Sequence, residues 1–265
     1  MMKIRKIKNL YVEKVFSDEE MEQFKGEKLE IFDIPDVIRK DINIYTIENG
    51  VETLLCKFRK NIINNKNIDV FKQNISITDI KRNGYGSMTD STRQGEKSKI
   101  FGFYDKPVPG KPNLYKINKK CRFTSLSYNY PEKHNALVPI VKNIDYEYEK
   151  LTPDIYINQL NMIDENAICI EDTVFSTVTI NVDFQTPIHK DSNDYREGMG
   201  NLSVIEYGEY EGGFLVFPQY GIYIDVREGD LLLMNVHEWH CNSPILGEGR
   251  VSLVCYLREG MVSKQ

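Results

Sequence analysis

The segment Val174-Phe-Ser-Thr-Val-Thr-Ile-Asn-Val-Asp183 runs on into Pro187-Ile-His-Lys-Asp191. Val174, Val178, Ile180 and Val182 alternate with Phe175, Thr177, Thr179, Asn181 and Asp183, the period of a strand with one apolar and one mostly polar face. The polar face is expected to look into a pocket. His189 and Asp191 keep the same period, so both side chains point to one side where the strand ends. A His and a carboxylate two residues apart, joined by a distant His such as His240 in Glu238-Trp-His-Cys-Asn242, form the facial triad that holds non-haem Fe(II) with positions left open. The spacing points to an iron oxygenase.

Downstream, the sequence reads as short antiparallel strands. Gly212-Gly213 is expected to open a hairpin into Phe214-Leu-Val-Phe217, Gly221 precedes Ile222 to Val226, and Arg227-Glu-Gly-Asp230 is a turn before Leu231 to Val236. The last strand, Arg250 to Leu257, places Arg250, Ser252, Val254 and Tyr256 on one face. Arg250 lies ten residues beyond His240 (250 − 240 = 10), and a guanidinium there can grip a carboxylate bidentately, with Ser252 adding a hydroxyl. A metal triad followed by such an Arg is what 2-oxoglutarate chemistry needs: the keto acid chelates iron, its distal carboxylate meets a fixed cation, and a position is left for O2. His237 competes with His240 as third ligand. His240 is preferred because it leads into Asn242-Ser-Pro244. Thr177, Asn181, Ser252 and Tyr256 are candidate pocket liners, and Trp239 is expected in the core.

The order His-x-Asp, Gly-Gly, Gly-Asp, His, Arg-x-Ser resembles the double-stranded β-helix of the iron/2-oxoglutarate dioxygenase superfamily, whose spacing also favours His240. Phe175-Ser-Thr-Val-Thr-Ile-Asn181, Tyr210-Glu-Gly-Gly-Phe-Leu-Val-Phe217, Asp225-Val-Arg-Glu-Gly-Asp230, His237-Glu-Trp-His240 and Arg250-Val-Ser-Leu-Val-Cys-Tyr256, with Cys121-Arg-Phe-Thr-Ser125 upstream, resemble its TET/JBP branch. That resemblance implies Fe(II), 2-oxoglutarate and O2 at His189, Asp191, His240 and Arg250, acting on the 5-methyl group of thymine or 5-methylcytosine in nucleic acid, DNA first, with the base flipped or single-stranded. It also implies that Asp194, five residues after His189 and beside Asn193, meets the base. The family often has Asn at that position, and an Asp can accept from either base. Arg122 and Thr124 are further candidates for substrate contact. A hydroxylase of a protein side chain or small molecule and a non-catalytic metal-holding binding module are the alternative readings.

The expected fold class is α+β: a jelly-roll, cupin-like double-stranded β-helix with flanking helices and an N-terminal α/β extension. One catalytic domain is expected over residues 1–265, divided into an extension to residue 120 and helices plus core from 121 to 258. A chain of 265 residues with 41% apolar content can bury such a core. No stretch has the length of a membrane span and the N-terminus lacks the apolar segment of a signal peptide, so a soluble, intracellular monomer is expected. Five scattered cysteines without Cys-x-x-Cys spacing suggest neither disulfides nor zinc.

The net charge of −5 argues against indiscriminate coating of nucleic acid. From Lys97 to Arg122, however, eight basic residues face the single acid Asp105, a balance of 8 − 1 = +7, with Phe101, Phe103, Tyr104 and Tyr115 interleaved. Such a strip suits phosphate contacts and base stacking; a solvated loop with its aromatics tucked into the core is the equal alternative. Met1 to Tyr45 reads as mixed helix and strand, Val51 to Phe58 as a strand with Leu54, Cys56 and Phe58 on one face, and Ile62 to Ile75 as a helix capped at Asn64-Asn65. Asn83 to Gly95 is expected to be a loop at the lip of the site. Lys106 to Pro112 reads as an extended, proline-stiffened segment. Leu137 to Met162 should form two helices split at Pro153, with Asp145, Glu147 and Glu149 facing solvent. His134 is expected at the surface.

Overall fold

The computed structural model describes residues 7–30, 36–81 and 98–263. The expected loop at Asn83 to Gly95 and the start of the basic strip at Lys97 lie outside these residues. The N-terminal part gives β1 (Lys8–Val12), α1 (Asp18–Gln23), β2 (Val37–Ile38), β3 (Ile42–Glu48) and β4 (Val51–Arg59). Next come α2 (Asn65–Asn74), α3 (Ile77–Lys81), β5 (Ser98–Tyr104), β6 (Arg122–Phe123), α4 (Ser125–Asn129), α5 (Pro131–Leu151) and α6 (Pro153–Met162). The C-terminal part is nearly all strand: β7 (Thr177–Val182), β8 (Gly200–Glu206), β9 (Tyr210–Gly212), β10 (Leu215–Phe217), β11 (Ile222–Ile224) and β12 (Leu231–Met234). β13 (Cys241–Asn242), β14 (Ile245–Gly247) and β15 (Arg250–Tyr256) complete it.

Nine of these strands form one sheet in the order β1-β3-β4-β12-β8-β15-β7-β5-β6, facing a smaller sheet ordered β13-β10-β11-β2. The segment before residue 121 therefore does more than wrap the core: β1, β3 and β4 extend the large sheet on one flank and β5 on the other. Alternation sorts the side chains of β15 between two cores. Val251, Leu253 and Cys255 pack with Leu137, Ile140, Ile144 and Phe71 on the helix side, while Val254 meets the cluster of Leu202, Leu215, Phe217, Ile224 and Leu232 between the sheets. The face carrying Arg250, Ser252 and Tyr256 thus looks into the cleft between the sheets. No helix among the described residues is long and apolar enough to cross a membrane, and the five cysteines are free thiols.

The helix capped by Asn64 and the break at Pro153 form as expected. Other readings are corrected. Gly212-Gly213 does not turn a hairpin, because Gly212 pairs with Ile245 and Leu215 with Asn242, so one antiparallel register runs straight through it. The two glycines bend the strand with φ of 73° and 67°. A Cβ on Gly212 would lie 2.1 Å from the Pro244 carbonyl oxygen, and one on Gly213 only 2.8 Å from Arg250 Cδ. In β4 a register shift opposite Ile44/Tyr45 turns Leu54 toward the helix-side core, away from Cys56 and Phe58. For Phe101 and Phe103 the second of the two readings of the basic strip holds, since both are buried in the core. His134 is half-buried, with Nδ1 2.9 Å from Ser127 Oγ, and burial lowers its pKa.

Asp145 does not face solvent. It is 6% exposed and accepts hydrogen bonds from the Val174 amide at 2.8 Å and the Tyr156 hydroxyl at 2.9 Å, which ties α5 to the approach of β7. Burial raises its pKa above the ordinary carboxylate value, against the pull of those two donors. Asp145→Ala is expected to destabilise the fold by about 1–3 kcal/mol, since it orphans a buried amide. A raised folded-state pKa contributes stability that is complete below the unfolded pKa and declines as pH rises through the folded value. The gap between parent and variant in urea unfolding should therefore narrow from mildly acidic to alkaline buffer; a gap that widens with pH would contradict the assignment.

Candidate metal and co-substrate site

The site is built where β7 ends. Asp183 leaves the strand in the left-handed region at φ 44°, and its Oδ1 accepts from the amides of Gly249 and Arg250 at 2.7 and 2.8 Å, locking this end to the start of β15. The chain then reaches His189, whose backbone pairs reciprocally with that of His240: the His189 amide donates to the His240 carbonyl at 3.1 Å and the His240 amide to the His189 carbonyl at 2.9 Å. The Asp191 amide donates to the Val236 carbonyl at 2.9 Å. Two segments remote in sequence thus present three side chains to one point.

Hydrogen bonding fixes which ring nitrogens face that point. His189 Nδ1 lies 2.9 Å from the Pro187 carbonyl oxygen and 3.1 Å from that of His240, and His240 Nδ1 lies 2.9 Å from the Glu238 carbonyl oxygen. A carbonyl only accepts, so each Nδ1 is the donating nitrogen and each Nε2 is the one left to face the cluster. Both Nε2 atoms lie 3.6 Å from Asp191 oxygens, one on Oδ1 and one on Oδ2, and all three donor atoms lie within 4.8 Å of one another. His240 is buried, whereas His189 and Asp191 are each 22% exposed, so the cluster opens to one side. His237 is outside it: its Nδ1 and Nε2 face the Asp191 and Tyr195 carbonyl oxygens at 2.9 and 3.4 Å.

Arg250 is 2% exposed and passes over Gly213, where only a glycine leaves room. Its Nε and Nη2 have no hydrogen-bond partner among the described residues. Those two nitrogens form one edge of the guanidinium, the edge that matches a carboxylate. Burial lowers its pKa, while Tyr210 and Asp225 act in the opposite direction. A buried cation with two idle donors is costly unless an anion completes it. Ser252 is buried on the same face of β15, opposite half-buried Asn181 on β7. Thr177 Oγ1 donates to the Phe103 carbonyl at 2.7 Å and so ties β7 to β5. The hydroxyl that meets Tyr256 is that of Thr179, at 3.1 Å.

Beyond the triad, Asn193 accepts from Lys106 Nζ at 2.8 Å through Oδ1. Asp194 forms a backbone bridge with Arg258, and its charge, together with burial, raises the pKa of the Tyr256 hydroxyl. Arg122 and Thr124 have structural partners. Arg122 donates to the Lys106 and Phe123 carbonyls at 2.5 and 2.9 Å, and Thr124 caps α4 by accepting from the Ser127 amide. Arg258, which the sequence reading missed, is 3% exposed, donates through Nε to Asp105, lies 3.8 Å from the centroid of the Tyr104 ring and has no hydrogen-bond partner for Nη2 among the described residues. It continues the two-residue period of Arg250, Ser252, Val254 and Tyr256, the signal that could have found it.

Residues 113–259 match the family model Tet_JBP, described as the oxygenase domain of the 2OGFeDO superfamily. The chain belongs to this family. The Tet_JBP match contains the His189, Asp191, His240 cluster, Arg250, Asp194 and Arg258, while β1 to β5 lie before it. Over 149 residues the chain is 34% identical to the bifunctional helicase and thymine dioxygenase JBP2 of Leishmania tarentolae, covering 54% of this chain and 13% of that protein. Over 199 residues it is 27% identical to the thymine dioxygenase JBP1 of Trypanosoma brucei brucei, covering 73% of this chain and 22% of that protein. The chain thus spans less than a quarter of the length of either relative. A structure of NgTET1 in complex with 5mC DNA superposes with a TM-score of 0.60 at 13% identity, covering 94% of both chains, and shares the fold. The donor set of this Tet_JBP domain, two imidazoles and a carboxylate, suits the Fe(II) of its superfamily. His240→Ala is expected to weaken Co(II) binding by more than about 100-fold, and His237→Ala by at most about tenfold, below or at the low end of the loss for a residue that orients a ligand, because its ring meets only backbone carbonyls. Chelator-competition titration separates them; equal losses would contradict the geometry.

Proposed function

We propose that this domain is an Fe(II)- and 2-oxoglutarate-dependent dioxygenase that oxidises the 5-methyl group of a pyrimidine in DNA, with thymine the favoured base. The observation that carries the reading is the convergence of His189, Asp191 and His240 near one point, together with a buried Arg250 whose Nε–Nη2 edge is idle. The curated relatives, named as thymine dioxygenases, support the base.

When bound, Fe(II) with 2-oxoglutarate and O2 would supply the oxidant for hydroxylating a methyl C–H bond, balanced by decarboxylation of the keto acid to succinate and carbon dioxide. His189 and His240 would hold the ion through Nε2, since each Nδ1 faces a carbonyl oxygen, and Asp191 would add one negative charge. Arg250 takes the distal carboxylate of the keto acid through Nε and Nη2, with Ser252 beside it. For the base we assign Asp194 as acceptor and Arg258, whose Nη2 has no hydrogen-bond partner among the described residues, as donor, a pair whose chemistry complements thymine N3–H and an adjacent carbonyl oxygen. A base stacked in a duplex cannot reach this cleft, so the target base is flipped or already unpaired.

The strand that carries the base meets a face of opposite charge. Residues 106–131 contain no acid, although the whole chain is acidic; Lys106, Lys111, Lys116 and Lys119 are exposed there, with Tyr128 and Tyr130 exposed beside them. The Lys106–Asn193 hydrogen bond ties this face to the metal-binding segment. Incubation with Fe(II), 2-oxoglutarate and ascorbate on DNA containing thymine, 5-methylcytosine or uracil, followed by nucleoside mass spectrometry, is expected to yield 5-hydroxymethyluracil from thymine. Product from 5-methylcytosine alone would reverse the base preference. Absence of any oxidised pyrimidine on DNA and RNA, with 2-oxoglutarate consumed instead on a peptide or small molecule, would overturn the substrate class.

A further inference from the structure

We propose that Asp18, in the N-terminal segment before the matched family domain, is a positioning residue for the metal centre: a single carboxylate oxygen fixes side chains that flank both histidine ligands. The inference rests on His189, Asp191 and His240 being the metal-holding set. Asp18 Oδ1 accepts from Lys190 Nζ at 2.9 Å and from Trp239 Nε1 at 3.1 Å. Lys190 stands between His189 and Asp191, and Trp239 immediately precedes His240. Neighbouring residues in extended chain point to opposite sides, so Asp18 grips the back of the two segments whose fronts carry the donors. Lys190 Nζ also lies 5.1 Å from the centroid of the Trp239 ring, which closes the triangle.

The brace holding Asp18 is itself well anchored. Ser17 and Glu20 form a capping box at the start of α1, and Lys14 holds the other Asp18 oxygen at 3.0 Å. Met21, 2% exposed, packs with Ile188, Trp239 and Cys241. Past the helix, the Gly26 amide donates to the Ile188 carbonyl at 2.8 Å and the Ile188 amide to the Glu27 carbonyl at 2.9 Å, so the segment is stitched to the residue preceding His189. Three neutral or anionic donors that leave part of the ion open hold it only as well as their own positions are held. A brace that restrains the segments of both histidines from one atom therefore acts on metal affinity.

The test is Co(II) affinity of the full chain, by competition with a chromophoric chelator, together with the visible spectrum of bound Co(II). The variants are Asp18→Ala, Lys190→Met, their combination and Lys14→Met, which leaves Asp18 Oδ1 engaged. Asp18→Ala is expected to weaken Co(II) on the order of tenfold and to change the visible bands, and Lys14→Met to stay within about twofold. The Asp18→Ala and Lys190→Met losses should fall short of adding in the double variant, because the two side chains share one contact. Parent-like affinity and spectrum in Asp18→Ala, or fully additive losses, would overturn the role. If circular dichroism shows Asp18→Ala unfolded, Asp18→Asn, which keeps the shape and loses the charge, decides by the same readouts. A parent that binds no Co(II) would instead overturn the proposed centre itself.

Discussion

The structure depends on one cross-strand pair. His189 and His240 exchange both backbone hydrogen bonds, and each ring then parks its Nδ1 proton on a nearby carbonyl. The backbone thereby sets the separation of the two rings, their tautomers and the direction of both lone pairs before any ion arrives. Each such bond contributes only about 1 kcal/mol to stability. Its larger consequence is geometric, since a donor set assembled in advance spends less of its binding energy on ordering side chains.

Around that pair the chain solves a second problem, which is to keep a cation buried with no hydrogen-bond partner on its Nε–Nη2 edge among the described residues. Arg250 enters the cleft over Gly213, with Tyr210 and Asp225 moderating the cost of its burial. The bend at Gly212-Gly213 is what lets one register continue past this side chain. Arg258, two residues past Tyr256, is buried as well, and there Asp105 and the Tyr104 ring hold the guanidinium. The last strand and the turn after it thus carry two buried guanidiniums, at Arg250 and Arg258.

Much of this was legible in the sequence because it depends on local period. The alternation from Val174 to Asp183 and from Arg250 to Leu257 marked the strand faces, and His-x-Asp at a strand end with His240 downstream named three side chains that the fold brings together. What escaped depends on partners far away along the chain. Asp145 looks like one of several solvent-facing acids in a helix until the Val174 amide comes to meet it. Gly212-Gly213 reads as a turn because glycine pairs so often make one, whereas the neighbour that demands glycine is Arg250, remote in sequence. Asp18 carries no local signal, since its partners Lys190 and Trp239 are brought to it only by the fold.

The account is tested most directly by a crystal structure of the protein grown without oxygen, with Mn(II) in place of iron and with 2-oxoglutarate. It predicts a metal bonded to His189 Nε2, His240 Nε2 and an Asp191 oxygen, with the far carboxylate of the keto acid on the Nε–Nη2 edge of Arg250. A metal coordinated by His237, or a keto acid bound away from Arg250, would contradict it.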